Sequence, residues 1–140
     1  MRLSIRNQLE GVVAAVTPGE VMGTIGVRLA GGQDITAAIT LEAVEELGLA
    51  DGQEVSVLIK STDVAIATGV TGPMSIRNRI PGRVAAVDPG VVMTTVKVEI
   101  AGGATITSVI TKDAAEDLGL AAGDDVTVLV KATEVAIARI

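Results

Sequence analysis

The tetrapeptide Ser4-Ile5-Arg6-Asn7 sets the register of the whole chain, because it recurs unchanged as Ser75-Ile76-Arg77-Asn78. Shifted by 71 positions, residues 4–69 align with residues 75–140 without a gap, and about 38 of the 66 aligned pairs are identical. Self-similarity over nearly the full length indicates two tandem copies of one small domain. We therefore expect a first domain over residues 1–69, a linker over 70–73 and a second domain over 74–140.

Each copy is small for a self-sufficient core, since about 66 residues lie near the lower limit for a domain that folds alone. The chain contains no Cys, His, Phe, Trp or Tyr, although 49% of its 140 residues are hydrophobic. The chain therefore has neither disulfides nor large aromatic side chains to stabilise so small a core. We expect additional apolar surface to be buried between subunits. The composition predicts an obligate homo-oligomer.

The net charge of −6 and the missing aromatic residues argue against a nucleic-acid partner, which requires a basic surface and stacking side chains. No apolar run approaches the length of a membrane span, and no cleavable amino-terminal signal is present, so we expect a cytoplasmic protein without a membrane partner. Acid–base catalysis would fall to carboxylates alone. Five acidic pairs recur in both copies, and three of them are expected to form the solvated face of a surface helix: Glu42/Asp113, Glu45/Glu116 and Glu46/Asp117. An enzyme is not predicted.

Short segments with apolar and polar residues in alternation predict five strands in each copy. In the first copy these segments are residues 11–16, 21–30, 35–39, 55–60 and 64–67. Turn residues separate them, such as Thr17-Pro18-Gly19 after the first and Gly31-Gly32 after the second. The last of the five strands is expected to close its own copy.

The spacing of apolar residues changes to three and four between the third and fourth strands, which predicts a short helix over residues 41–49. Thr40 is expected to be its N-cap and Gly48 its terminator, with Thr111 and Gly119 doing the same in the second copy. Three strands, a helix and two strands is the order of an OB-type barrel. The predicted fold class is all-β with a small helix per repeat, arranged as two tandem OB-like five-stranded β-barrels.

Only two pairs of cationic residues match between the copies, Arg6 with Arg77 and Lys60 with Lys131. Matched cations in an otherwise acidic protein indicate a local anion site. Hydroxyl groups near these cations, and the free N–H groups at the beginning of the helix after Thr40, would add further donors. A tetrahedral dianion would be satisfied by such donors, whereas a bare metal cation would not.

Each of these residues also has a purely structural interpretation. Arg6 and Lys60 could pair with carboxylates, and the chain would then be a non-enzymatic structural or protein-interaction OB module. Ser4 and Asn7 could be ordinary turn and edge residues, and Thr40 caps a helix in either case. An OB module for single-stranded nucleic acid is the third alternative and an enzyme the last.

Six short motifs, each returning in the same order in the second copy, resemble the molybdenum-pterin-binding (Mop) family: Ser4-Ile5-Arg6-Asn7, Gly11-Val12-Val13, Ala30-Gly31-Gly32, Ile35-Thr36-Ala37-Ala38-Ile39-Thr40, Glu45-Glu46-Leu47-Gly48-Leu49 and Val57-Leu58-Ile59-Lys60-Ser61. The tandem arrangement is similar to that of the two-domain molbindins. The resemblance implies OB-like barrels, a homotrimer, and molybdate or tungstate bound between subunits. Since no DNA-binding or ATPase segment accompanies the two copies, it implies intracellular storage and homeostasis of the oxyanion.

The resemblance also implies which residues hold the oxyanion, with donors from two subunits at each site. For the first copy, one subunit would supply Ser4, Arg6, Lys60 and Ser61, and its neighbour Thr40 with the backbone near Ala43. For the second copy, the corresponding residues are Ser75, Arg77, Lys131 and Ala132, with Thr111 and Ala114 from the neighbour. Ala132 has no polar side chain and would act only through its backbone N–H.

Overall fold

The computed structural model describes residues 1–70 and 72–140, so Thr71 of the predicted linker lies outside the described residues. The first copy contains β1 (Asn7–Pro18), β2 (Met22–Leu29), β3 (Asp34–Thr40), α1 (Leu41–Leu47), β4 (Glu54–Ile59), a 3-10 turn (Ser61–Asp63) and β5 (Ala65–Ala67). The second copy contains β6 (Asn78–Pro89), β7 (Met93–Ile100), β8 (Thr105–Thr111), α2 (Lys112–Leu118), β9 (Asp125–Val130), a 3-10 turn (Ala132–Glu134) and β10 (Ala136–Arg139). The five strands and one helix expected in each copy are thus present, and within the described residues no helix has the length and apolarity needed to cross a bilayer.

Strand β2 shows how the sequence pattern produces the barrels. Ile25, Val27 and Leu29 are buried, whereas Thr24 before them and Arg28 between the last two are exposed. Successive side chains of a strand point to opposite faces of the sheet, so a period of two separates an inner apolar face from a solvated one. Buried apolar residues of both copies belong to one continuous core cluster.

The two helices begin and end at the residues that their caps predict. The Oγ1 atom of Thr40 accepts a hydrogen bond from the backbone N–H of Ala43 at 3.1 Å, and Gly48 ends α1 in the left-handed region at φ 58°. Thr111 and Gly119 cap α2 in the same way. The N-cap bond satisfies one of the free N–H groups at the beginning of the helix, and glycine ends the helix without the strain of a Cβ atom.

The two five-stranded sheets exchange their last strands. The strand order is β10-β4-β1-β2-β3 in one sheet and β5-β9-β6-β7-β8 in the other. Strand β10 of the second copy pairs antiparallel with β4 of the first, with Ile137 opposite Val57, and β5 pairs with β9, with Ile66 opposite Val128. Each barrel is therefore built from both copies.

The expectation that the last strand closes its own copy is wrong. The sequence of the last strand could not indicate to which sheet it would pair. Residues 64–67 and 135–138 have the same sequence, Val-Ala-Ile-Ala, so either segment offers the same side chains to either sheet. The choice between the two pairings depends on the path of the chain between the copies. The domain boundaries at 1–69, 70–73 and 74–140 stay a prediction.

A pair of buried asparagines joins the copies where the opening motif enters the first strand. Asn7 donates from Nδ2 to the carbonyl oxygen of Thr107 at 2.8 Å and accepts at Oδ1 from the N–H of Thr107 at 2.7 Å. Asn78 makes the same two bonds with Thr36, at 2.9 and 2.7 Å. Each asparagine amide thus hydrogen-bonds to the backbone of the third strand of the other copy in the way that a residue of a neighbouring strand would.

The glycine turns after β2 and β7 meet backbone to backbone between the copies. A Cβ atom on Gly31 would lie 1.9 Å from the carbonyl oxygen of Ala101, far inside any real contact distance. Gln33 reaches across the same contact and donates from Nε2 to that carbonyl oxygen at 2.7 Å. The recurrence of Gly at this turn therefore reflects the close approach of the two copies.

Candidate functional site

The antiparallel pairing of the first and fourth strands brings together the matched cations of each copy. Asn7 lies opposite Ile59 at the end of the ladder between β1 and β4. Arg6 immediately precedes the first of these residues and Lys60 immediately follows the second, so both cations lie just beyond the same end of the ladder. In the second copy Asn78 lies opposite Val130, which places Arg77 and Lys131 in the same way.

Arg6 and Lys60 line a shallow pocket of about 270 Å³ at the surface of the first copy. The rest of its lining comes from the segment before β1 and from the first 3-10 turn, namely Ser4, Ile5, Ser61 and Thr62. The structure therefore gathers the four residues that the motif assigned to one subunit. Thr62 was not among the predicted site residues, although its recurrence as Thr133 is a signal that could have identified it.

None of the four matched cations forms an ion pair within residues 1–70 and 72–140. The ion pairs of this part of the chain are Arg28 with Asp34 at 2.9 Å and Arg83 with Asp125 at 3.6 Å, and both involve cations that the other copy lacks. The side-chain hydrogen bond to Asp34, together with the charge of that carboxylate, raises the pKa of Arg28 above its ordinary value. The interpretation of Arg6 and Lys60 as partners of carboxylates in the same chain is therefore not supported.

The hydroxyl group of Ser61 is buried beside these cations without a hydrogen-bond partner among the described residues. Ser61 is only 9% exposed, and its Oγ atom makes no hydrogen bond there. A buried hydroxyl without a partner costs free energy, and most such groups in folded proteins are bonded. Ser61 also lines the pocket, so an unused hydrogen-bonding group lies beside the two cations.

The helix caps lie outside the pocket. Thr40 is exposed at the end of β3 and does not line the pocket, so one chain brings together four of the six residues assigned to the first site and not the other two. The cap bond uses a lone pair of the Thr40 hydroxyl, which leaves the hydroxyl hydrogen free to donate outward. The same holds for Thr111, whose Oγ1 accepts from the N–H of Ala114 at 3.1 Å.

Asn7 proves to be a structural residue, and its interpretation as an edge residue is wrong. It is 2% exposed, and its amide donates one hydrogen bond to Thr107 of the other copy and accepts one from it. Asn7 therefore anchors the segment that carries Arg6. Recurrence alone could not separate this anchoring role from a ligand role, because both are needed in each copy.

Comparison with known proteins gives consistent matches over the whole chain. The family described as TOBE domain matches twice, over residues 3–66 and 74–137. The molybdenum-pterin-binding protein MopB of Rhodobacter capsulatus is 40% identical over 139 residues, which are 99% of this chain and 52% of that protein. The chain thus spans about half the length of this relative.

Two further matches are covered almost completely by the chain or by one of its copies. The molybdenum-pterin-binding protein 3 of Clostridium pasteurianum is 46% identical over 66 residues, which are 47% of this chain and 97% of that protein. A structure of the cytoplasmic molybdate-binding protein ModG with molybdate bound superposes with a TM-score of 0.97 at 35% identity, covering 100% of both chains. The strand-exchanged pair of barrels described above thus matches the fold of a molybdate-bound protein over its full length.

Proposed function

Because this chain belongs to the TOBE domain family, and within it to the molybdenum-pterin-binding (Mop) proteins, we propose that it binds molybdate or tungstate and serves the storage and homeostasis of these oxyanions. The observation that carries the proposal is the meeting of Arg6 and Lys60, without carboxylate partners in the described chain, at one pocket beside the unpartnered hydroxyl of Ser61. The protein acts in the cytoplasm as a binding protein rather than an enzyme, in line with the names of its relatives.

Charge balance favours a doubly charged oxyanion at this pocket. Arg6 and Lys60 each carry one positive charge at neutral pH, so together they neutralise a dianion such as molybdate or tungstate. Arginine adds a planar fork of donors and lysine a compact point charge, and both form charge-assisted hydrogen bonds with oxyanions. The net charge of −6 means that attraction for the anion arises from this local pair and not from the protein as a whole.

A second subunit completes the site in this proposal. The donors gathered by one chain come from the segment before β1 and from the first 3-10 turn, whereas the free hydroxyl hydrogen of Thr40 lies elsewhere on the surface. In a homotrimer, Thr40 and Ala43 of a neighbouring subunit would cover the anion that Arg6 and Lys60 hold. Thr111 and Ala114 would do the same for the anion held by the second copy.

The tips of the β1–β2 and β6–β7 hairpins offer apolar surface for this assembly. Val21 is 75% exposed at the first tip, and Val91 and Val92 are 92% and 69% exposed at the second. Neighbouring exposed apolar residues offer surface that a contact between subunits would bury. We place contacts between subunits at these tips, which both copies carry.

Isothermal titration calorimetry with molybdate, tungstate, sulfate and phosphate tests the proposed function. Molybdate and tungstate have nearly the same size and charge, and we expect both to bind saturably. Sulfate is smaller and reaches fewer donors at once, while hydrogen phosphate carries a proton that cationic donors cannot accept. Equal affinity for all four anions would reduce the site to a generic anion patch, and no heat with any of them would refute the proposal.

A further inference from the structure

The two candidate sites of the chain differ at one residue. Of the six positions assigned to each site, five carry the same residue in both copies. The exception is Ser61, which aligns with Ala132. Both residues begin the 3-10 turn that follows the matched lysine, so the residues assigned to the two sites differ in type only by the hydroxyl group at this turn.

The Ser61 hydroxyl is one of three buried polar side-chain groups without a hydrogen-bond partner among the described residues, beside Gln33 and Thr94, and of the three it alone belongs to a residue that lines the candidate pocket. The Oγ atom of Ser61 is buried and has no partner among the described residues. At Ala132 no such group exists, and the backbone does not differ: Lys60 and Lys131, which precede the two turns, both have φ −65° and ψ 139°. An oxyanion held by Lys60 would therefore accept a hydrogen bond from the Ser61 hydroxyl, which otherwise has no partner among the described residues. An oxyanion held by Lys131 would find no such side-chain donor at Ala132.

We propose that the two sites are unequal, and that the site containing Ser61 binds the oxyanion more tightly and fills before the site containing Ala132. This inference rests on the proposed function. A hydrogen bond from a hydroxyl to a charged acceptor corresponds to about a tenfold or larger change in affinity. The chain would then combine a tight site that retains the anion at low concentration with a weaker site that takes up and releases it as the concentration changes.

Two reciprocal substitutions test this order of filling by calorimetric titration with molybdate. We expect the native protein to show two classes of site that differ about tenfold or more in dissociation constant. Ser61→Ala should remove the tight class and leave one class with the same total number of bound anions. Ala132→Ser should convert the weaker class into the tighter one, which a purely structural role of Ser61 would not produce.

Lys112 provides the control, because it is an unmatched cation next to a residue assigned to the second site. It follows the cap residue Thr111, whereas Leu41 follows Thr40. Lys112→Leu should leave two classes of site in place. The inference is overturned if Ser61→Ala titrates like the native protein, or if Lys112→Leu alone merges the two classes. Absence of any binding by the native protein would instead refute the proposed function, so the two failures are distinguishable.

Discussion

Asn7→Ala is expected to lower the free energy of unfolding by about 2–4 kcal/mol, a large fraction of the stability of a small protein. The Asn7 side chain makes two hydrogen bonds with the backbone of Thr107, and it is 2% exposed. Alanine leaves both the N–H and the carbonyl of Thr107 without these partners in a partly buried region, and a buried group left unpaired costs about 1–3 kcal/mol. Asn78→Ala should cost a similar amount, because its amide makes the same bonds with Thr36.

Urea unfolding followed by far-ultraviolet circular dichroism measures this effect, since the chain has no aromatic residue to serve as a fluorescent probe. Gln8→Ala is the matched control: Gln8 is the next residue, is exposed, and donates only to the carbonyl of Ile5 at 3.0 Å. Its change should stay within about 0.5 kcal/mol. If Asn7→Ala costs no more than Gln8→Ala, the amide does not join the copies as described.

Lys60→Ala is expected to weaken molybdate binding at the first site roughly 10- to 150-fold. The substitution removes one charge-assisted contact, which is worth about 1.5–3 kcal/mol, and leaves Arg6 as the only cation for a doubly charged ligand. Lys60 is exposed and forms no ion pair among the described residues, so the stability of the unliganded protein should change little. The double variant Lys60→Ala, Lys131→Ala should weaken both sites.

Arg28→Ala is the control for charge, because it removes one positive charge from the same copy at a position where the other copy has Glu99. Arg28 is paired with Asp34 on the surface of β2 and β3, away from the pocket. Calorimetric titration should give the native dissociation constant for this variant. Equal weakening by both substitutions would mean that the anion responds to overall charge and that the matched cations have no special role.

Local structure was predictable because the residues that determine it are adjacent in the chain. Thr40 and Gly48 delimit α1 as expected, since capping depends on side-chain and backbone chemistry within a few residues. The alternation of apolar residues along β2 predicted its buried face for the same reason. The first strand begins at Asn7, earlier than the expected residue 11, because its pairing with β4 extends through this polar segment.

The exchange of the last strands was not predicted, because the four residues that begin each of the two segments are identical. Residues 64–67 and 135–138 have the same sequence, so these side chains favour neither pairing. The next residue differs: Arg139, which aligns with Thr68, donates from Nη1 to the carbonyl oxygen of Leu47 in the first copy at 3.1 Å. The role of Asn7 follows from this topology, since its partner lies 100 residues away in the other copy. The recurrence of Arg6 and Lys60 in both copies predicted a common anion site, and the ladder between β1 and β4 explains why the two residues lie close together.

A crystal structure of the tungstate complex tests the central claim most directly, because tungsten gives an unambiguous anomalous signal. The account predicts tungsten peaks between the side chains of Arg6 and Lys60 and between those of Arg77 and Lys131, with Thr40 or Thr111 of a neighbouring subunit on the opposite side. Tungsten bound only at positions remote from these four cations, in a saturated crystal, would contradict it.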